Sequence, residues 1–240
     1  MLKNVFIIAG ICGLFISSSL GGTLSGRVNF NGKSPKKKTI KMDADPVCGA
    51  SHKDPVYNQS FIINKEGYLK NVIVYLKDVK YAGKVPEAQV VLDQNGCTYS
   101  PHVQGMMVGQ ELLIKNSDAT LHNIHGLPKL NPEFNFAMPK VVKEKAIKIA
   151  KAENFIKIKC DVHSWMKAYV SVFDHPYFAV TDDSGHFQID SIPPGTYEVI
   201  AWQEKFRDKK TKTWKTLNAT VTIIDGNVKQ DFTFVKPKKK

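Results

Sequence analysis

Apolar and polar residues alternate with a period of two over much of this chain, and helical periodicity is nearly absent. The alternation is clearest in Ile147-Lys148-Ile149, Phe155-Ile156-Lys157-Ile158-Lys159 and Tyr169-Val170-Ser171-Val172-Phe173, as in strands half-buried in a sandwich. Residues 26–30, 60–63, 72–76 and 111–115 are further short β-branched or aromatic runs bounded by Gly, Asn, Asp or Pro. Only residues 139–144 invite a helical reading. The pattern predicts an all-β protein made of β-sandwiches, divided serially into residues 23–94, 95–174 and 175–235. In the last unit, Asp182-Asp183-Ser184-Gly185 reads as a turn between strands. Pro193-Pro194-Gly195 reads as a rigid corner leading into another.

The first 22 residues stand apart. Lys3 gives a basic start, residues 5–16 form a short apolar run, and residues 17–22 are mostly small, which together read as a secretory signal peptide. The run is too short and wrongly flanked for a membrane span, and Cys12 behind Ile11 is a poor lipoprotein site. The expectation is an exported, periplasmic protein, with the outer surface or medium as other destinations, and not an integral membrane protein. An apolar fraction of 42% over 240 residues is ordinary for a folded chain and argues against disorder.

The residues with the most chemistry are Cys160, His163 and Met166, three apart in the run Cys160-Asp161-Val162-His163-Ser164-Trp165-Met166. Upstream lies His122-Asn123-Ile124-His125. Two imidazoles and a thiolate in a trigonal plane, with a long bond to a thioether, form the ligand set of an electron-transfer copper site. Taken singly, each residue has a plainer reading as core or surface; the conjunction carries the weight. Zinc is the main competitor for such donors, and the thioether favours copper.

Residues 97–172 resemble the cupredoxins, and within them the amicyanin pattern. The run from Asn116 to His125 matches that family's Asn…His-Asn-Val-His segment, and Cys-x-x-His-x-x-Met is the short form of its ligand loop. The resemblance implies a Greek-key sandwich holding one mononuclear copper through His122, Cys160, His163 and Met166. His122 and Cys160 would come from facing strands. It implies further that Asn123 gives its backbone N–H to the thiolate, that Trp165 belongs to a water-excluding collar with Phe134, Phe136 and Met138, and that the His163 ring edge lies near solvent. His125 matches a histidine that does not usually ligate. Leu121 and Ser164 stand where related sequences often carry proline. With Cys160 assigned to copper on this resemblance, Cys48 and Cys97 remain as a candidate disulfide in an oxidising compartment; two buried free thiols are the other reading. Residues 175–235 resemble carboxypeptidase regulatory-like, or transthyretin-like, modules, and residues 26–28 faintly share that type.

Four protein ligands would leave no open position for substrate or activated water, which argues against an oxidase, a monooxygenase or a hydrolase. Asp182-Asp183 and the Asp43, Asp45 pair read as turn residues rather than an acid and base, so the expectation is a non-enzymatic protein. His102 and His175 read as strand-end or turn residues. The net charge of +12 is clustered in residues 33–41, 205–215 and 236–240. Such runs are usually solvated faces; they also suit steering toward an acidic redox partner or adhesion to an anionic surface. Nucleic acid is a poor partner, since no aromatic-basic platform or reading helix is apparent. The leading reading is a one-electron carrier serving a c-type cytochrome or a dehydrogenase. The alternatives are copper delivery or resistance, and a surface adhesion protein whose basic patches engage glycans, matrix or a host ligand.

Overall fold

A computed structural model describes residues 21–208 and 210–235. The expected signal peptide lies outside the described residues except for Gly21 and Gly22, and the expected basic tail at 236–240 lies wholly outside. The chain opens with β1 (Gly22–Asn31), beginning on the last residue of the expected leader. It then makes the single α-helix among the described residues, α1 (Pro46–Ala50), before β2 (Ile62–Ile63), β3 (Leu69–Lys70) and β4 (Ile73–Leu76). The middle of the chain forms β5 (Val90–Asn95), β6 (Thr98–Ser100), β7 (Val103–Met107), β8 (Glu111–Asn116) and β9 (His122–Leu127). It continues through β10 (Phe134–Met138), β11 (Glu144–Lys148), β12 (Glu153–Lys159) and β13 (Lys167–Phe173). The last strands are β14 (Phe178–Val180), β15 (His186–Ile192), β16 (Gly195–Trp202), β17 (Leu217–Ile223), β18 (Asn227–Lys229) and β19 (Phe232–Val235).

The fold is all-β, and its four main sheets stack as two sandwiches packed against each other. The outermost sheet has the order β15-β1-β18, with β19 also paired to β1; the next is β14-β4-β16-β17. The third is β10-β9-β12-β13-β7 and the fourth β11-β8-β5-β6. Leu24, Val28, Phe187, Val199 and Phe234 belong to the core between the first two sheets. Leu92, Ile114, Ile124, Ile158, Ala168 and Val170 belong to the core between the last two.

A third core joins the sandwiches, because the two middle sheets are covered on both faces. Along β4, Val74 and Leu76 enter the outer core, while Ile73 and Tyr75 enter the joining core with Tyr169, Phe173, Ile200 and Trp202. Along β13, Ala168, Val170 and Val172 face the core of their own sandwich, and Tyr169 and Phe173 face the joint. A strand covered on both faces is apolar at successive positions, which is why β4 reads as a continuous run.

The strand pairings do not follow the serial three-unit division. β1 runs antiparallel to β15 and parallel to β18 and β19, and β4 lies between β14 and β16. The strands β1, β4 and β14 to β19 therefore build one sandwich together, and β5 to β13 form the second as an insertion within it. Along-chain composition sees local alternation but carries no signal for pairing between strands some 200 residues apart. Gly26 permits one crossing point: a Cβ there would lie 1.9 Å from the Gln230 carbonyl oxygen. The expected helix at 139–144 is a turn entering β11, with Val142 N–H bonded to the Pro139 carbonyl. The helix forms at Pro46 instead, where Asp45 caps the Val47 and Cys48 amides and proline fills the first turn.

Between β1 and β2 the chain leaves the first sandwich and lies against the second. Ile40 and Val56 pack on the inner core, Met42 and Cys48 enter it, and Cys48 is bonded to Cys97. Closing a loop with a sequence separation of 49 contributes about 4 kcal/mol by chain entropy. Among the described residues no helix is long and apolar enough to cross a membrane.

An ion triad is sealed in the joint. Glu204, just beyond β16, accepts from Lys167 Nζ at 2.7 Å and lies 2.8 Å from His102 Nε2, with the Glu204 and His102 side chains 3% and 4% exposed. Burial pushes the Glu204 carboxyl up, but the hydrogen bonds and charges of His102 and Lys167 outweigh it and bring it down to about 2. A carboxyl held below its ordinary value contributes stability that is present above about pH 4.5 and lost as pH falls through about 2. We expect Glu204→Ala to lower stability at pH 7 by about 1–3 kcal/mol, since it leaves the buried His102 ring and the partly exposed Lys167 ammonium without their shared carboxylate, and to flatten the loss of stability on acidification. Urea unfolding across pH measures both, and wild-type stability in the variant would refute a sealed triad.

Candidate metal centre

The sequence-predicted residues converge at one end of the second sandwich. His122 is the first residue of β9. Ahead of it the buried Asn116 braces the turn: its side-chain amide donates to the Thr120 and Met138 carbonyls, at 3.2 and 2.8 Å, and its side-chain oxygen accepts from the Asp118 amide. Cys160 follows β12 directly. The strands carrying His122 and Cys160 are hydrogen-bonded neighbours in one sheet, with Lys159 opposite His125, and not facing strands as expected. The short loop closes on itself, Met166 N–H donating to the His163 carbonyl and Cys160 N–H to the Met166 carbonyl.

His122 Nδ1 and His163 Nδ1 lie 2.9 Å apart, and Cys160 Sγ lies 3.9 Å from His163 Nδ1. One donor atom from each of the three residues falls within 4.8 Å of the others. His122, His163 and Cys160 are 0, 2 and 3% exposed, and Met166, in the same core, is 1%. Water cannot serve as the hydrogen-bond partner of these groups, so the protein does. His122 Nε2 is 2.8 Å from Asp118 Oδ2, and His163 Nε2 is 2.9 Å from Asp45 Oδ2. A carboxylate on Nε2 keeps the proton there and turns the Nδ1 lone pair inward, an arrangement common to metal-binding histidines.

The same contacts set the electrostatics of the apoprotein, in which a metal must displace a proton from His122 Nδ1 to reach its lone pair. Burial opposes charge on His122, but Asp118 and Cys160 outweigh it and raise the imidazole to about 9. Burial likewise pushes the Cys160 thiol up, yet His122 and the amides of Asn123, His163 and Val162 bring it below the usual thiol range. Asp45 is held at about 2 by Thr120, His163 and its two capped amides, against the cost of burial. Asp118, bonded also by the Gly96 and Cys97 amides, is lowered as well. Asn123 turns its side chain away from the thiol, accepting from the Asp161 amide and donating to Asn135 and Asp161.

One expectation is overturned. The His163 ring edge does not lie near solvent; it is covered by Asp45, by Cys48 Sγ at 3.7 Å and by Trp165, whose ring centroid is 4.9 Å away. The cover comes from the segment between β1 and β2, which the resemblance does not extend to. Trp165 is anchored by its indole N–H on the Cys97 carbonyl, so the disulfide ties cover and loop together.

Asp45 and Asp118 are the residues that sequence reasoning missed as parts of the centre. Asp45 before Pro46 is legible as a helix cap, but nothing local says which imidazole its free oxygen meets. His125 stands outside the cluster, between Glu133 Oε1 at 2.6 Å and Asp161 Oδ2 at 2.8 Å. His102 lies in the sealed joint, and buried His175 accepts the Tyr177 amide. Phe134 and Phe136 stack at 6.4 Å against the inner core, and buried Met138 pairs with His122 across β9 and β10.

The family model described as polysaccharide lyase family 4, domain II, matches residues 146–230. That span crosses from β11 to β18, so it includes the ligand loop as well as most of the unit that resembles a regulatory-like module. No curated protein matches the chain. Among solved structures, the copper-containing nitrite reductase NirK from Thermus scotoductus SA-01 is similar at 21% identity with a TM-score of 0.32. That match covers 40% of this chain and only 25% of the reductase chain. A Cu(I) structure of an amicyanin variant is 19% identical with a TM-score of 0.32, covering 41% of this chain and 97% of that one. A second amicyanin variant, also Cu(I), is 20% identical over the same shares, again with a TM-score of 0.32. Likenesses this distant add no argument to the geometry.

Removing the carboxylate over His163 tests the cover. We expect Asp45→Ala to cost about 1–3 kcal/mol, the penalty for unpairing a buried donor. In the apoprotein it should also speed carbethoxylation of His163 by diethyl pyrocarbonate, read by peptide mass mapping, while His102 stays protected. A wild-type His163 that labels as fast as in unfolded chain would show that no such cover exists in solution.

Proposed function

We propose that this protein is an exported, non-enzymatic electron carrier that binds a single copper ion through His122 Nδ1, His163 Nδ1 and Cys160 Sγ, with Met166 as a weaker fourth ligand. The observation that supports it best is the convergence of two Nδ1 atoms and one thiol in a site buried from bulk solvent. The donor chemistry fits the ion. A sulfur ligand favours Cu(I), imidazoles accept either oxidation state, and hard oxygen donors are held on the outer nitrogens instead of facing the site.

Bound copper would supply a one-electron couple. Cys160 binds as thiolate, releasing its proton, and the lowered thiol value makes that release easier. Asp118 and Asp45 fix the two ring orientations, so both imidazoles keep their lone pairs on the same point in either oxidation state. The packed sheets leave the donors little freedom to rearrange, which suits electron transfer and disfavours capture of a fifth ligand. Because His163 has no exposed edge, Trp165 and the Cys48–Cys97 bridge would lie between a bound copper and any partner on that side. A partner of acidic surface, such as a c-type cytochrome or a dehydrogenase, would be drawn by the excess of lysine, and that attraction weakens with salt.

The test is to add Cu(II) to purified apoprotein and record the visible spectrum. An intense thiolate-to-copper charge-transfer band, saturating at one equivalent and bleached reversibly by reductant, is expected. Cys160→Ala should abolish it. A colourless product, or a band that survives loss of Cys160, would refute the assignment. Rapid loss of Cu(I) to a chelator would move the reading from carrier to copper delivery.

A further inference from the structure

Two of the three lysine-rich stretches of the sequence meet in space, away from the metal centre. Residues 33–38 and Lys205 border a cleft of about 620 Å³, within the size range of small-molecule sites. Its floor is aromatic: Phe30 and Phe61 meet edge to face at 5.1 Å, and Phe206 lies 6.1 and 6.3 Å from them. All three rings are only half-buried, so apolar surface is left open at the bottom of the cleft. Such surface is costly to leave in water.

The rim carries one sign of charge. Lys33, Lys36, Lys37, Lys38 and Lys205 line it, Lys37 sitting 5.7 Å from the Tyr57 ring. None of these five ammonium groups forms a salt bridge among the described residues. Lost hydration first, then the charge of Lys167, and further the charge of Lys38, push the Lys205 ammonium below the usual lysine range, against the pull of Glu204. The rim is thus an uncompensated positive field over an apolar floor. Beneath it, the fully buried Ser60 has its backbone groups bonded to Asn58 and Gln203 but its hydroxyl without a partner among the described residues.

We propose that this cleft binds a small amphipathic anion: a carboxylate or sulfonate carried on an aromatic ring or an alkyl chain. The apolar body lies on Phe30, Phe61 and Phe206, and the anionic head meets the lysine rim. The site is independent of copper.

Fluorescence titration with 1-anilinonaphthalene-8-sulfonate tests this, with dodecanoate and 2-naphthoate as competing anions, and 1-dodecanol, 2-naphthol and inorganic phosphate as controls. We expect one saturable site with a Kd on the order of 1–100 µM. At least one of the two organic anions should compete, the more effective one telling whether the body is alkyl or aromatic. The neutral analogues and phosphate should compete about tenfold more weakly or not at all. Exposed Lys37→Glu with Lys205→Glu should keep the circular dichroism spectrum and weaken dye binding by about tenfold or more. Phe61→Ala should weaken it without altering salt dependence. Absence of saturable binding, equal competition by the neutral analogues or by phosphate, or unchanged affinity in the lysine variant would each overturn the proposal.

Discussion

Sealing two imidazoles and a thiol from water leaves every polar atom among them dependent on a protein partner. That constraint organises this end of the molecule. His122 points one nitrogen inward only because Asp118 holds the other, and Asp118 in turn rests on the Gly96 and Cys97 amides. His163 is served by Asp45, which belongs to a distant part of the chain and is fixed by capping α1. The Cys48–Cys97 bridge then joins the two carboxylate-bearing regions. Disulfide, helix cap and turn are thus parts of one solution to a solvation problem.

The layered architecture makes that solution reachable. Between β1 and β2 the chain leaves the outer sandwich and passes over the ligand loop of the inner one, with Met42 and Cys48 entering the inner core, before it returns to β4. The joint is mostly aromatic and aliphatic, with the Glu204 triad, the Ser171 hydroxyl and the Trp202 indole N–H as buried polar groups within it. The same excursion supplies four of the five lysines of the basic cleft, Lys205 coming from beyond β16.

Much of this was legible in the residues. The runs at 111–115, 155–159 and 169–173 became β8, β12 and β13 with nearly the expected bounds, and Gly185 adopts the positive φ of 70° that its turn requires. The meeting of His122, Cys160 and His163 was readable because Cys160 and His163 stand three apart and such side chains have few common chemical uses. What escaped was non-local. The pairing of β1 with β18 and β19 leaves no periodic trace, since a strand's own alternation is the same whoever its neighbour is. The reach of Asp45 to His163 spans 118 positions, and the burial of the His163 edge depends on it. The helix at Pro46 has only five residues, too few for amphipathic periodicity; its Asp-Pro start was the usable signal.

β1 begins at Gly22, and its parallel partner β19 ends at Val235. The first strand therefore stays incompletely paired until β18 and β19 join it. Contacts that span nearly the whole chain form slowly because the intervening loop must be closed first. The inner sandwich has no such delay, as all of its strands are contiguous in sequence. Assembly thus has an intrinsic order: the ligand loop can be set while the clasp of first and last strands is still open.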